Sequence, residues 1–187
     1  PVPTDANAQE DSPSDGPPRA VLIAALALAV TAVAAVLGIA ATRQTPDQPV
    51  AIAAVPAPQA DSGTCHALLG ALPDRLGDLQ RAAAVEPTPV GTAAWRAGGG
   101  AEPVILRCGL DRPGEFVVGS PIQVVNSVQW FQLADPDTQR STWVSVDRPV
   151  YIALTLPNDS GPTPIQTMSD VIARTMPAVP IRPGPPR

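Results

Sequence analysis

From Ala20 to Ala41 the chain carries no charged side chain, and Thr31 is its only polar one. No other feature restricts the architecture as much. A bilayer core takes about 20 apolar residues in helical form, and a helix closes its backbone hydrogen bonds within itself, as lipid demands. Arg19 and Arg43 bracket the run, where guanidinium heads reach the headgroup layer. Nothing on the circumference is polar enough to face water, which disfavours a core helix of a globular body. The segment therefore predicts a transmembrane helix over residues 20–41.

A cleaved signal peptide is the competing reading. Gly38-Ile39-Ala40 has the small-residue spacing that a signal peptidase accepts. The run is longer than an ordinary signal core of about 7–15 residues, and the stretch before it is acidic rather than basic. Both points favour a retained anchor. One Arg at either end leaves the positive-inside comparison undecided.

Cysteine speaks to orientation instead. Cys65 and Cys108 are the only two, and both follow the apolar run. An even pair in a small exported domain predicts a disulfide, which persists in oxidising compartments. In the chain-entropy account such a bridge stabilises by about 4 kcal/mol. Two buried free thiols in a cytoplasmic domain are the alternative. The spacing is neither a CxxC redox pair nor a clustered zinc-ligand set.

The rest divides by composition. Residues 1–19 form an acidic tail, residues 42–61 a Pro/Ala-rich linker, and residues 178–187 a tail too rich in Pro to fold. Extended, that linker would hold a domain up to about 60 Å from a bilayer, at about 3 Å per residue. Residues 62–177 carry globular patterning. Ser62 or Thr64 caps a short helix through Cys65, Leu68, Leu69 and Leu72, with Leu76 and Leu79 continuing its apolar stripe past Pro73. Strands are expected at Val104–Cys108, Ile122–Leu133, Thr142–Val146 and Val150–Leu156, the doubled apolar residues of the second pointing to a bulge or to burial on both sides. Ile165, Met168, Val171 and Ile172 place an apolar face on a helix from Pro164 to Arg174. Strands between two helices imply an α+β domain, a small antiparallel sheet packed by two helices.

Charge excludes one class of function. The net charge is −5 and the basic residues are scattered singly, so nucleic acid is not an expected partner. All twelve basic residues are Arg, which together with abundant Ala, Pro and Val reads as GC-rich codon usage rather than Arg-specific chemistry. No cofactor or metal motif is present: Gly98-Gly99-Gly100 lacks the Lys and Ser/Thr of a phosphate loop.

Catalytic candidates are thin. His66 is the only histidine; beside Cys65 it suggests a Cys–His pair, but adjacent helical side chains diverge and a disulfide consumes the thiol. A surface histidine is the simpler reading. A Ser-His-Asp triad stays open, though no GxSxG elbow occurs. Asp111, Asp135, Asp137, Asp147, Asp159 and Asp170 supply carboxylates, and pairs of acids cleave glycosides. The Asp135-Pro136-Asp137 and Asp111-Arg112-Pro113 strings read equally as turns. Trp95, Trp130, Trp143 and Tyr151 form a candidate binding surface for sugar, peptide or a partner protein, against the alternative that they complete a small core.

Several strings coincide with a known pattern: Cys65-His66-Ala67-Leu68-Leu69 with Leu72-Pro73-Asp74, then Ala94-Trp95, Leu106-Arg107-Cys108-Gly109, Val128-Gln129-Trp130 and Asp147-Arg148-Pro149-Val150-Tyr151. Together they resemble an actinobacterial domain-of-unknown-function family (number thirty-five fifteen) of short membrane-anchored or secreted proteins. The resemblance covers residues 62–177 and implies an N-terminal anchor with an exported domain. It implies no catalytic residue. The family's usual Ala-Trp-Gly stands here as Ala94-Trp95-Arg96.

These readings converge on a single-pass membrane protein whose disulfide-bonded domain lies on the outer side, or is secreted if the apolar run is cleaved. The expected role is non-enzymatic binding or assembly in the cell envelope, with another envelope protein or a wall polymer as partner. The alternative is a small envelope hydrolase or transferase that uses Asp carboxylates.

Overall fold

The structure, a computed structural model, describes residues 18–42, 48–98, 100–134 and 137–186. Residues 1–17 of the acidic tail, 43–47 of the expected linker, Gly99, Asp135-Pro136 and Arg187 lie outside the described residues. The chain divides into two compact units, residues 1–45 and 46–187.

The first unit holds helix α1, Arg19–Thr42. Its segment Arg19–Gly38 is long and apolar enough to cross a membrane, a property that spans and signal sequences share. Its large side chains, Leu26 and Leu28 among them, are exposed. Within the uncharged run the Thr31 hydroxyl turns back on the helix and donates to the Ala27 carbonyl at 2.9 Å.

The second unit is α+β. Helix α2 (Gly63–Gly70) is followed by strands β1 (Arg75–Leu76), β2 (Leu79–Ala82), β3 (Thr92–Arg96) and β4 (Val104–Leu110). Strands β5 (Gln123–Val125), β6 (Val128–Ala134), β7 (Arg140–Ser145) and β8 (Tyr151–Pro157) come next, and helix α3 (Thr163–Thr175) closes the series. The eight strands form one antiparallel sheet in the order β1-β2-β3-β4-β8-β7-β6-β5. Helix α3 touches both outermost strands, β1 and β5, as well as β6. The sheet therefore curls around it, which gives an inner, helix-side face and an outer face.

Both expected helices are present. Ser62 caps α2 by accepting the Cys65 N–H at 3.3 Å, and Pro at the first turn of α3 costs no backbone bond. Ile165, Met168, Val171 and Ile172 are buried on α3, as their spacing predicts. Alternation sends Ala93, Trp95, Leu106, Cys108, Ile152 and Leu154 to the same side, where they meet α2 and α3 in the main core. The Cys65–Cys108 disulfide ties α2 to β4 within that core.

Four sequence expectations need correction. Leu76 and Leu79 do not extend the first helix; they pair with each other across β1 and β2, because Pro73 ends the helix and Gly77 at φ +62° turns the chain back. Ile122–Leu133 is not one bulged strand but the β5–β6 hairpin, reversed at Asn126 and Ser127 with φ of 44° and 68°. The register shift lies instead in β4, between Cys108 and Leu110.

The other two corrections concern the segments expected to be unstructured. Val50 exchanges backbone bonds with Ala83 and Val85 at 2.8 and 2.9 Å, and Val50 and Ile52 are buried against Ala94 and Ile105 on the outer face. Downstream, the Gln59 N–H donates to the Gly109 carbonyl at 3.0 Å. The described part of the expected linker is thus a strap over β3 and β4. The C-terminal tail is likewise packed: Val179 N–H donates to Asp147 O at 2.9 Å, Gly184 N–H to Phe116 O at 2.8 Å, and Val118 N–H to Gly184 O at 3.0 Å. Proline forbids a donor at its own position but leaves an extended path, so interspersed Val and Gly supply the N–H groups.

Candidate functional site

The four aromatic residues proposed as one surface do not form one. Trp95 and Trp130 are each 0% exposed and belong to the core, so they are not binding residues. Both face the helices by strand register, and both indole N–H groups are satisfied inside: Trp95 donates to Pro73 O and Trp130 to Ser169 Oγ, each at 2.9 Å. Arg81 stacks over Trp95, 4.8 Å from the ring centroid. Tyr151 lies on the outer face, half-buried in a pocket of about 360 Å³ with Gln59, Arg148 and Arg182. Burial pushes its phenol pKa upward, and the nearby Arg112 and Arg182 work against that.

Trp143 is different. It sits on the helix side beyond the first turn of α3, where the sheet outruns its cover, and its ring stays half-buried. Its N–H donates to Ser141 Oγ at 3.2 Å. The ring faces a cleft of about 470 Å³. Gln123 of β5, Gln132 of β6, Asn158 and Ser160 of the β8–α3 loop and Gln166 of α3 supply its polar groups, and Val125, Leu156 and Ile165 its apolar floor. Among the described residues no Asp, Glu or Arg lines it. In a chain that is 16% charged, this concentration of neutral amides around one indole is the least ordinary surface in the domain.

The carboxylates are dispersed. Asp147 is buried against Arg148 at 2.9 Å, and Arg148 also donates to the Ser127 carbonyl at 3.0 Å. Asp170 accepts from Asn126 Nδ2 at 3.1 Å on the exposed side of α3. Asp111 is exposed on the outer face and Asp137 on the loop before β7. Asp159 lines a second cleft, of about 700 Å³, with Asp78 and Glu102. His66 is on the surface, 2.9 Å from the exposed Asp61. Among the described residues no three or more His, Cys, Asp or Glu side chains gather as metal ligands would.

The model of the family described as Protein of unknown function (DUF3515) matches residues 26–181. The chain belongs to that family. The match reaches upstream of the globular domain into α1, and downstream into the tail that packs on the outer face. No curated protein and no solved structure matches the chain. Membership in DUF3515 assigns no reaction.

Several arginines make structural contacts that composition did not reveal. Arg96 donates to the Gln48 carbonyl at 2.8 Å and so holds the start of the strap. Arg107 reaches the Ala53 carbonyl at 3.4 Å, and Arg140 binds Pro103 O at 3.0 Å and Glu102 at 3.4 Å. Codon usage alone does not account for these positions. The available signal was their period of two with the apolar residues of β3 and β4, which places them on the outer face.

Proposed function

We propose that this chain is a membrane-tethered envelope protein whose disulfide-bonded domain faces the outside and binds a neutral wall polymer without catalysis. The observation that carries the reading is the uncharged cleft around Trp143. Sugar rings present one apolar face and a rim of hydroxyls. An indole beside Gln and Asn amides matches both, since stacking takes the face and each amide donates and accepts. A charged lining would serve an ionised ligand, and this cleft has none among the described residues. The disulfide supports an exported location, and α1 supports a tether.

The test is tryptophan fluorescence of the full chain titrated with soluble neutral oligosaccharides. Trp95 and Trp130 are buried, so a saturable change reports on Trp143. It is expected to vanish in Trp143→Ala and to weaken several-fold in Gln132→Ala. No change up to millimolar sugar would count against a glycan and direct the search to an envelope protein. Location is tested separately: alkylation of Cys65 and Cys108 in unreduced, denatured protein from cells would contradict export.

One observation favours a hydrolase or transferase instead, namely that Asp78, Glu102 and Asp159 line one cleft. Release of reducing ends from wall polymer, lost in Asp159→Asn, would decide for that reading.

A further inference from the structure

The outer face of the sheet holds a second groove, unrelated to the cleft at Trp143. Its volume is about 570 Å³. Ala153, Val144 and Leu133 form an apolar floor across β8, β7 and β6, and Val55-Pro56 of the strap forms one wall. Arg107 enters this floor from β4. Its Nε is shut off from solvent and has no hydrogen-bond partner among the described residues. Its one hydrogen bond is the 3.4 Å contact to Ala53 O, which uses one of five donors. No described carboxylate lies within ion-pair reach of it. Burial and the like charge of Arg140 both depress its pKa, which marks a cation without compensation. A half-buried guanidinium on an apolar floor is costly unless an anion meets it.

We propose that this groove binds a small amphiphile whose anionic head, a carboxylate or phosphate, pairs with Arg107 while its apolar body lies against Val55, Pro56 and Leu133, the lining side chains that still reach solvent. Asp111 and Glu115 also line the groove and repel an anion, so Arg107 is the side chain that the head pairs with. Thr142 and Thr155 also line it; their hydroxyls bond each other at 3.0 Å, which leaves one of the two protons free to donate to the ligand.

The experiment is equilibrium dialysis of labelled hexanoate, hexyl phosphate and hexan-1-ol against the full chain in nanodiscs, with empty nanodiscs as the blank. One saturable site is expected for the anions and none for the alcohol. Arg107→Gln should weaken binding at least about tenfold, the usual scale of a lost charge-assisted pair. Val55→Asp sets a like charge on the wall at a residue already 45% exposed, so folding is undisturbed, and it should weaken binding similarly. Tighter hexanoate identifies a carboxylate ligand, and tighter hexyl phosphate a phosphate-headed one. The proposal is overturned if no anion binds above the blank, if hexan-1-ol binds equally, or if either variant binds like the parent. None of these outcomes bears on the Trp143 cleft.

Discussion

Helices cover one face of the eight-stranded sheet and proline-rich straps cover the other, and the two covers are held by different physics. On the inner face, α2 and α3 bring whole apolar stripes against Trp95, Trp130 and Leu154, and the disulfide fastens α2 in place. Stability there comes from removing large side chains from water. On the outer face, residues 48–61 and 178–186 contribute few apolar groups, chiefly Val50, Ile52 and Ile181. They are held by single backbone hydrogen bonds and by Arg96 and Arg107 reaching to carbonyls. Helical cover closes the core; strap cover leaves grooves. Ligand-sized space occurs on the inner face beside the start of α3, and on the outer face beside the strap that carries Val55 and Pro56.

Substitutions on each face sharpen this contrast. The largest loss is expected from Trp130→Ala, which opens a core cavity and removes the donor to Ser169 Oγ, leaving that hydroxyl its bond to the Ile165 carbonyl; urea unfolding should show about 3–5 kcal/mol less stability. Gly109→Ala comes next. Gly109 has φ +86°, and a Cβ there would collide with the backbone of Gln59 and Ala60. A cost of about 2–4 kcal/mol is expected, with new protease cleavage within residues 48–61 as the strap lifts. Uncut strap in a folded Gly109→Ala variant would show that the strap is held elsewhere.

Deleting residues 179–187 removes three backbone bonds and uncovers the cluster of Phe116 and Phe131, whose ring centroids are 5.4 Å apart. About 1–2 kcal/mol should be lost, with faster amide exchange at Val118, whose N–H loses the Gly184 carbonyl. A loss as large as that of Trp130→Ala would erase the distinction between the two covers. The smallest effect concerns Tyr151. Its folded pKa lies above the usual 10.0. Its contribution is therefore present below pH about 10 and lost as pH rises through the folded value, when the unfolded phenol ionises first. Tyr151→Phe should flatten the alkaline fall of stability, and an unchanged slope would remove the phenol as its cause.

Legibility followed the same division. The spacing of Cys65 with Leu68 and of Ile165 with Met168 and Ile172 marked both helices, and alternation in Val150–Leu156 marked β8. Strand β3 was missed because Thr92–Arg96 is short and rich in Ala, although it carries the buried Trp95. Trp95, Trp130 and Trp143 look alike in sequence; what separates them is that the first two are buried with their N–H groups bonded to Pro73 O and Ser169 Oγ, while the third lines a cleft. The cleft residues Gln123, Gln132, Asn158 and Gln166 come from four elements, so no local spacing joins them.

By itself the sequence determined the apolar helix, the paired cysteines, the α+β class and the family, because each rests on local periodicity or on residue types whose chemistry acts alone. Tertiary structure decided which tryptophans face water, which arginines lack a counter-charge, and that proline-rich ends lie on the sheet. Those outcomes depend on which groups from distant segments meet. A proline-rich strand has no period of its own: it gains order only when a sheet offers acceptors and an apolar surface, here through Gly109, Phe116 and Ile105.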